Sequence, residues 1–424
     1  MYDTFLERSA ETPAVLVAGG GPAGLLAARR LAEAGVAVTV FERESEIGAP
    51  VHTSGASWIR EMREYGIPER CYRPIPRLRF LGPSRQAEIR WPEPVGCIVD
   101  VRALYQHLAE RAIAAGAEIC LRSTVSGPLL RDGRVAGLRV RRAGTGERAV
   151  AAALVVDATG FAAGVARAAG LHAGFSRYGL GAEYDVYAPH ADPDEVVVWL
   201  GAATAPSGYG WLAPYAEGRF RVGVGVIRPD VAADPRAVLD RAIESLPVLR
   251  RALRGASAVE SHLGYIPSQS PPEHWIGDGL VCVGDAAGHP SALLGEGIRF
   301  ALHSGSLGGA VAARAVREGD VSAARLSCFP REWQRRHGRD LRRALRLNRI
   351  LSSLSDASWD LGVELLDALE PSAAEALLRG ELSGLAGVCW RGAARPRLAG
   401  AILARAARRA LRGEAAAGIP LAAR

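Results

Sequence analysis

Gly19, Gly21 and Gly24 stand in the spacing G-x-G-x-x-G, with Pro22 and Ala23 ahead of the last glycine, and Glu42 follows 18 residues after Gly24. Residues of these types at this spacing can hold a dinucleotide. Gly19 allows a tight turn, Gly21 lets a pyrophosphate approach the backbone, and Gly24 permits close packing of a helix on a strand. A helix starting here offers unpaired N–H groups to the phosphates. Glu42 can accept hydrogen bonds from both ribose hydroxyls. A purely structural glycine turn is the alternative reading, and the pattern alone does not separate a nicotinamide from a flavin dinucleotide.

A second group lies far along the chain: Gly284 and Asp285, then Gly295, Glu296 and Gly297. Asp285 is suited to holding a polyol hydroxyl at a strand end. The backbone at Gly295 and Gly297 can approach a flat ring at the next helix N-terminus, whose positive end stabilises an anionic ring by about 0.3–1 kcal/mol. The structural alternative is a strand–turn–helix with a capping aspartate. His289 and Glu296 flank this turn, and Glu296 is as good a helix cap as a catalyst.

The elements that must position these residues are legible around them. Ala14–Ala18 is an apolar run suited to a strand buried on both faces. A helical pattern follows over Leu25–Ala34, and Val36–Phe41 is a second strand with Glu42 at its end. The helical spacing of Leu104, Leu108 and Ala112 predicts a helix over Arg102–Ala115, then a strand over Ala117–Val125. Leu129–Arg131, Val135–Val140 and Glu147–Val150, parted by Asp132-Gly133 and Gly144-Thr145-Gly146, read as a β-meander before a strand at Leu154–Asp157. Ala182–Tyr187, Glu195–Leu200, Tyr209–Pro214 and Arg219–Ile227 predict a second, antiparallel sheet to which Leu78–Trp91 contributes. Beyond Pro330 the composition turns to helices, over Arg331–Leu354, Ala357–Leu369, Ser372–Arg379 and Ala401–Arg412, with fraying expected from Gly413. The expected class is α/β with two lobes. A dinucleotide-binding domain with a β-meander spans 1–75, 96–172 and 265–330; an antiparallel substrate domain spans 76–95 and 173–264; a helical region spans 331–424.

Four blocks resemble the geranylgeranyl reductase family of FAD-dependent oxidoreductases, within the superfamily of aromatic hydroxylases and flavin monooxygenases. They are Gly19–Gly24 with Glu42-Arg43; Asp157-Ala-Thr-Gly160; Tyr209-Gly-Trp211-Leu-Ala-Pro214 with Gly223-Val-Gly225; and Gly284–Ile298. The third is the most specific, since those reductases carry Tyr-x-Trp-x-Phe-Pro and then Gly-x-Gly about eight residues on. Ala213 replaces the usual Phe. The resemblance implies FAD held by Gly19, Gly21, Pro22, Ala23, Gly24, Glu42, Arg43, Arg102, Gly284, Asp285, Gly295 and Gly297. It also implies a substrate cavity lined by Tyr209, Trp211 and Pro214, where the residues alone would favour core packing for the two aromatics. The family's flavin-loop Cys is Thr53 here, which argues against a thiol mechanism; His52, Thr53 and Ser54 of this loop are suited to donate a proton or orient a substrate, with Glu296 as a further candidate. A solvated loop is the bland alternative for the first three. The family's Asp-Arg pair reads Asp100-Val101-Arg102, and its flavin-loop proline is Ala292, with Pro290 nearby.

Composition narrows the chemistry. All 52 basic residues are arginine, which excludes Schiff-base chemistry, a Walker phosphate loop and lysine-assisted halogenation. The net charge of +7 is small for this length, and with no nucleic-acid motif no nucleic-acid partner is expected. The six scattered cysteines lack Cys-x-x-Cys spacing, so neither a metal centre nor a disulfide framework is expected. Met1–Pro13 has no signal-peptide pattern and no apolar run reaches 18 residues, so a cytoplasmic protein is expected. Arg335–Arg346 and Arg405–Arg412 are suited to an anionic membrane surface or a phosphorylated substrate, or are solvated helix faces.

The expected function is reduction of carbon–carbon double bonds in an apolar prenyl, polyketide or related substrate. The hydride would come from reduced flavin, and the electrons from NAD(P)H or another external donor. The alternatives are flavin monooxygenation (hydroxylation or epoxidation) and a non-redox role, as a flavin-assisted cyclase or a lipid-binding module.

Overall fold

A computed structural model describes residues 14–142, 144 and 146–381 of the chain. Its first sheet has the strand order Ile276–Gly277, Leu280–Cys282, Leu154–Asp157, Val15–Ala18, Val38–Phe41, Glu118–Cys120. All neighbours run parallel except the first pair. Val15, Leu16, Val17 and Ala18 have no exposure because both faces of the sheet are covered. The helices Pro22–Glu33 and Ile298–Glu318 pack together above it, and the meander Ser123–Arg131, Arg134–Arg142, Gly146–Ala151 is joined to its core through Val135, Leu138 and Val140. The chain leaves Val15–Ala18 toward one neighbour and returns on the other, so the sheet reverses order at this strand. Such a reversal opens a crevice at the strands' carboxyl ends.

The second sheet has seven strands in the order Ser257–Pro267, Tyr178–Tyr187, Arg219–Arg228, Tyr209–Ala216, Glu195–Trp199, Arg77–Leu81, Gln86–Arg90. One face packs Trp199, Leu212, Val222 and Val224 against the helix Pro235–Ser245. The other face turns toward the crevice. A small sheet of Ala56–Trp58, Gly96–Val99 and Tyr72–Ile75 stands beside it.

Three sequence expectations need correction. Ala117–Val125 is two strands, because Arg122 adopts a left-handed conformation (φ 54°) that breaks the run. Ser257–Pro267, which sequence patterning missed, is the edge strand of the seven-stranded sheet. Arg331–Leu354 is helical but contains a wider π-type turn at Gln334–Gly338. The helices Asp356–Asp367 and Pro371–Leu378 match their expected positions closely, whereas Ala401–Arg412 and the segment from Gly413 lie outside the described residues. Among the described residues, no helix is long and apolar enough to cross a membrane.

Candidate active site

One cavity of about 1360 Å³ joins the two glycine turns. Gly19, Gly20, Gly21, Pro22, Ala23, Glu42, Arg43, Gly284, Asp285, Gly295, Glu296 and Gly297 all line it. Gly19 has φ 110°, and a side chain there would meet the Ala158 carbonyl oxygen at 2.3 Å. Gly24 stands behind the wall, where a Cβ would lie 3.2 Å from Val17 Cγ1; its job is close helix–strand packing. The Glu42 carboxylate is fixed by two backbone donors, Gly20 N at 2.7 Å and Glu44 N at 2.9 Å.

What brings the two turns together is the crossing of their helices. A Cβ on Gly305 would sit 2.2 Å from the Ala23 carbonyl oxygen, and one on Gly309 would sit 2.7 Å from Ala27 Cα. Only the absence of side chains at these two positions, four apart on one helix face, lets Ile298–Glu318 lie so close on Pro22–Glu33. Beneath the Asp285 turn, Ser304 Oγ accepts from Gly284 N (2.9 Å) and bonds His289 Nδ1 (2.7 Å). His289 is buried against Trp275 and Trp333, and burial pushes its pKa well down, so it supports the turn from behind the cavity. Asp285 makes no side-chain hydrogen bond among the described residues, and desolvation lifts its pKa to about 7.

Tyr209, Trp211 and Ala213 alternate onto the cavity face of the seven-stranded sheet. Pro214 does not line the cavity: the period-2 alternation of the strand turns it to the opposite side, paired with Phe220. The register also explains the spacing of Tyr-x-Trp and Gly-x-Gly, because Tyr209 lies opposite Gly225 and Trp211 opposite Gly223. The indole rests on this glycine bed, where a Gly223 Cβ would meet Trp211 Cζ2 at 2.5 Å. Trp211 Nε1 donates to Glu183 Oε2 at 2.7 Å, and Tyr209 donates its hydroxyl to the Leu294 carbonyl.

His52, Thr53 and Ser54 line the same cavity as the Gly295 turn, with His52 Nδ1 3.0 Å from the Leu263 carbonyl oxygen. Arg102 is not among the residues lining the cavity; its guanidinium is 3.6 Å from Glu46 and 3.9 Å from Glu260, and Asp100 caps its helix by accepting from Ala103 N (3.1 Å). Glu296 caps nothing. Gly297 begins the helix, and Glu296 Oε2 accepts from Arg299 Nη2 (2.7 Å) while its buried Oε1 has no hydrogen-bond partner among the described residues. Arg379, from the end of the last described helix, completes this network by donating to Glu61 (2.5 Å).

The cavity continues into an apolar recess that sequence reasoning did not find. Leu78, Phe80, Val196 and Val198 of the sheet face Trp359, Leu366, Leu377 and Leu378 of the C-terminal helices. The Asp360 carboxylate latches these helices to the sheet by accepting from Ser84 N (2.8 Å) and Arg85 N (3.0 Å). The sequence placed these helices; it did not show the face they pack against.

A family model described as FAD dependent oxidoreductase matches residues 14–183, and one described as geranylgeranyl reductase catalytic domain matches 178–260. Digeranylgeranylglycerophospholipid reductase 2 of Methanothermobacter thermautotrophicus is 35% identical over 364 residues, covering 84% of this chain and 91% of the relative. The protein of the same name from Methanopyrus kandleri is 32% identical over 359 residues, covering 83% and 90%. A solved geranylgeranyl bacteriochlorophyll reductase-like protein from Thermoplasma acidophilum superimposes with a TM-score of 0.81 at 28% identity, covering 87% of this chain and 96% of the other. A flavin-dependent brominase, at 19% identity and a TM-score of 0.68 over 87% of this chain and 93% of its own, shares the fold.

The residues present fit the flavin dinucleotide. A Cβ on Gly21 would meet nothing within 4 Å, which leaves its backbone open to a ligand. Both helix N-termini that reach the cavity lack a side-chain cap, so their N–H groups are free for phosphate and ring oxygens. The chain belongs to the geranylgeranyl reductase family of FAD-dependent oxidoreductases.

Proposed function

We propose that this protein uses FAD to saturate carbon–carbon double bonds in a prenyl chain of the geranylgeranyl type carried by a larger lipid. One observation carries the reading: a single cavity runs from the dinucleotide turns to a recess whose described walls are built of Leu, Val, Phe and Trp side chains. Ordinary small-molecule sites occupy roughly 300–1,000 Å³; this one is larger, as two occupants require. Bound FAD, once reduced by an external donor such as NAD(P)H, supplies a hydride to one carbon of the double bond.

The protein's own part is to bind and orient. Gly19, Gly21 and Glu42 hold the nucleotide half, with Pro22, Ala23 and Arg43 beside them. Asp285 holds the ribityl hydroxyls, and the Gly295–Gly297 backbone faces the ring. Tyr209 and Trp211 form a flat floor against which an alkene can lie, and Ala213, in place of a bulkier side chain, deepens the recess beyond them. In this reading residues 1–75, 96–172 and 265–330 serve the cofactor, 76–95 and 173–264 serve the substrate, and the described helices of the 331–424 region cover the recess. The names of the relatives point to a phospholipid headgroup. Such a substrate brings the protein to a membrane surface from the cytoplasm, although Arg335 and Arg336 are paired with Glu332 and Arg343 with Asp340.

The test is anaerobic incubation of the FAD-loaded, dithionite-reduced protein with a geranylgeranyl phospholipid, read by mass spectrometry. A gain of about two mass units for each saturated bond is expected. A product that forms only with oxygen and gains one oxygen atom would select monooxygenation, and an isomer of unchanged mass would select cyclisation.

A further inference from the structure

Saturating an alkene needs a proton as well as a hydride, and a buried chain of ionisable groups reaches the cavity from solvent. The strand Tyr178–Tyr187 lies between Ser257–Pro267 and Arg219–Arg228, and the register sets Glu183 opposite His262 and Asp185 opposite Arg221. Glu183 and His262 line the cavity, Glu183 beside Trp211. His262 Nδ1 is 3.4 Å from Glu183 Oε1, and its Nε2 is 3.1 Å from Glu260 Oε2. Glu260 is 36% exposed and meets solvent beside Arg102. We propose that Glu260, His262 and Glu183 form the proton path of this enzyme, from solvent to the substrate side of the cavity, with Glu183 as the group that delivers the proton.

The step balances on the reductase reading above, on which it rests. The hydride from reduced FAD would add to one alkene carbon, and a proton passed from the His262 imidazolium through the Glu183 carboxylate would add to the other. Glu260 with water then returns a proton to His262. Nothing else is consumed beyond the external two-electron donor that restores the flavin.

The surrounding charges favour a proton on this path. Facing it are four carboxylates, Glu46, Glu183, Asp185 and Glu260, and three guanidinium groups, Arg102, Arg219 and Arg221. His52 Nδ1 lies 3.0 Å from the backbone carbonyl of Leu263, next to His262 on its strand. One negative charge is left over unless His262 is protonated. Desolvation alone would push the His262 pKa down, but its bonds to Glu183 and Glu260 and the nearby Asp185 outweigh burial and raise it. The ligand atoms of Glu183, Asp185 and His262 lie within 4.8 Å of one another, a spacing that would also suit a cation. The Arg221 guanidinium, 3.0 Å from Asp185 Oδ1 and 3.8 Å from Glu183 Oε1, already supplies the positive charge there.

Two measurements on the full chain test the path. In the anaerobic assay with dithionite-reduced, FAD-loaded protein and a geranylgeranyl phospholipid, His262→Gln should lower kcat by roughly 10²–10⁴-fold with KM and FAD occupancy little changed. Glu260→Gln, at an exposed position, should keep the fold and move the alkaline limb of kcat about one pH unit lower, because the protonated imidazole loses a stabilising carboxylate. In the FAD-free protein, nuclear magnetic resonance of the imidazole nitrogens should show His262 titrating above about 6.5, and lower in Glu260→Gln. Wild-type kcat and an unshifted profile in His262→Gln would overturn the path, as would a His262 that titrates at or below 6.5. Absence of saturated product from the wild type would refute the reductase reading instead, and the titration would then decide whether the path holds its proton.

Discussion

Asp285 turns a carboxyl into the cavity with no side-chain hydrogen bond among the described residues, and its cost and its use are both measurable. A ligand hydroxyl bonded to a charged group contributes about 1.5–3 kcal/mol, so Asp285→Ala should weaken FAD binding by roughly 10–100-fold, read by flavin fluorescence titration. Its pKa of about 7 in the fold lies above the roughly 3.9 of an unfolded aspartate. The folded state therefore holds a proton that the unfolded state has released, and Asp285 costs stability progressively as pH rises from about 4 to 7. Asp285→Asn should remove that slope. Urea unfolding of the FAD-free protein at both ends of this range should show the variant gaining on the wild type as pH rises, by a few kcal/mol. A constant difference would mean that Asp285 ionises normally.

At the scale of elements, the site depends on two glycine surfaces that carry no chemistry themselves. Gly305→Leu puts a side chain into the Ala23 backbone and forces the two helices apart. Overpacking of this kind costs about 1–3 kcal/mol or more, and the same substitution should lower FAD occupancy, because both glycine turns ride on those helices. A thermal melt with and without FAD checks this; a variant that keeps full occupancy would separate the helix crossing from the site. Gly223→Val should displace Trp211 from its bed and lower kcat while leaving FAD occupancy unchanged. The Tyr-x-Trp and Gly-x-Gly motifs were legible in the sequence because a hairpin brings near-neighbours in the chain together at a fixed register. Gly19–Gly24 was legible for the same reason: strand, turn and helix are contiguous. Pro214 was misjudged because a motif does not state which face of a strand each of its residues takes, and alternation put it on the far side. Arg102 stands one residue along from the family pattern at a helix start, where such a shift rotates a side chain by about 100°.

Over the whole molecule, the least legible features are those assembled from distant segments. Glu183, Asp185 and Arg221 lie inside strand runs that the sequence did show, but no motif singled them out, and their partner His262 sits on an edge strand that composition did not reveal. The recess needs Phe80, Val198, Trp359 and Leu378 from three separate parts of the chain, and no local spacing links them. Its C-terminal wall is latched by Asp360 and packed through Trp359. Trp359→Ala should cost about 3–5 kcal/mol at most and weaken binding of a geranylgeranyl lipid tenfold or more while FAD affinity holds, as measured by calorimetry. Loss of both affinities together would mean that the wall supports the whole fold rather than the substrate.

The central claim is that cofactor and prenyl chain share one cavity, and a crystal structure of the protein with FAD and a geranylgeranyl phospholipid tests it most directly. The adenine half is predicted beside Glu42, the ring at Gly295–Gly297, and the isoprenoid chain over Trp211 against Trp359 and Leu378. A chain bound outside the recess, or a flavin ring away from the Gly295 turn, would contradict the account.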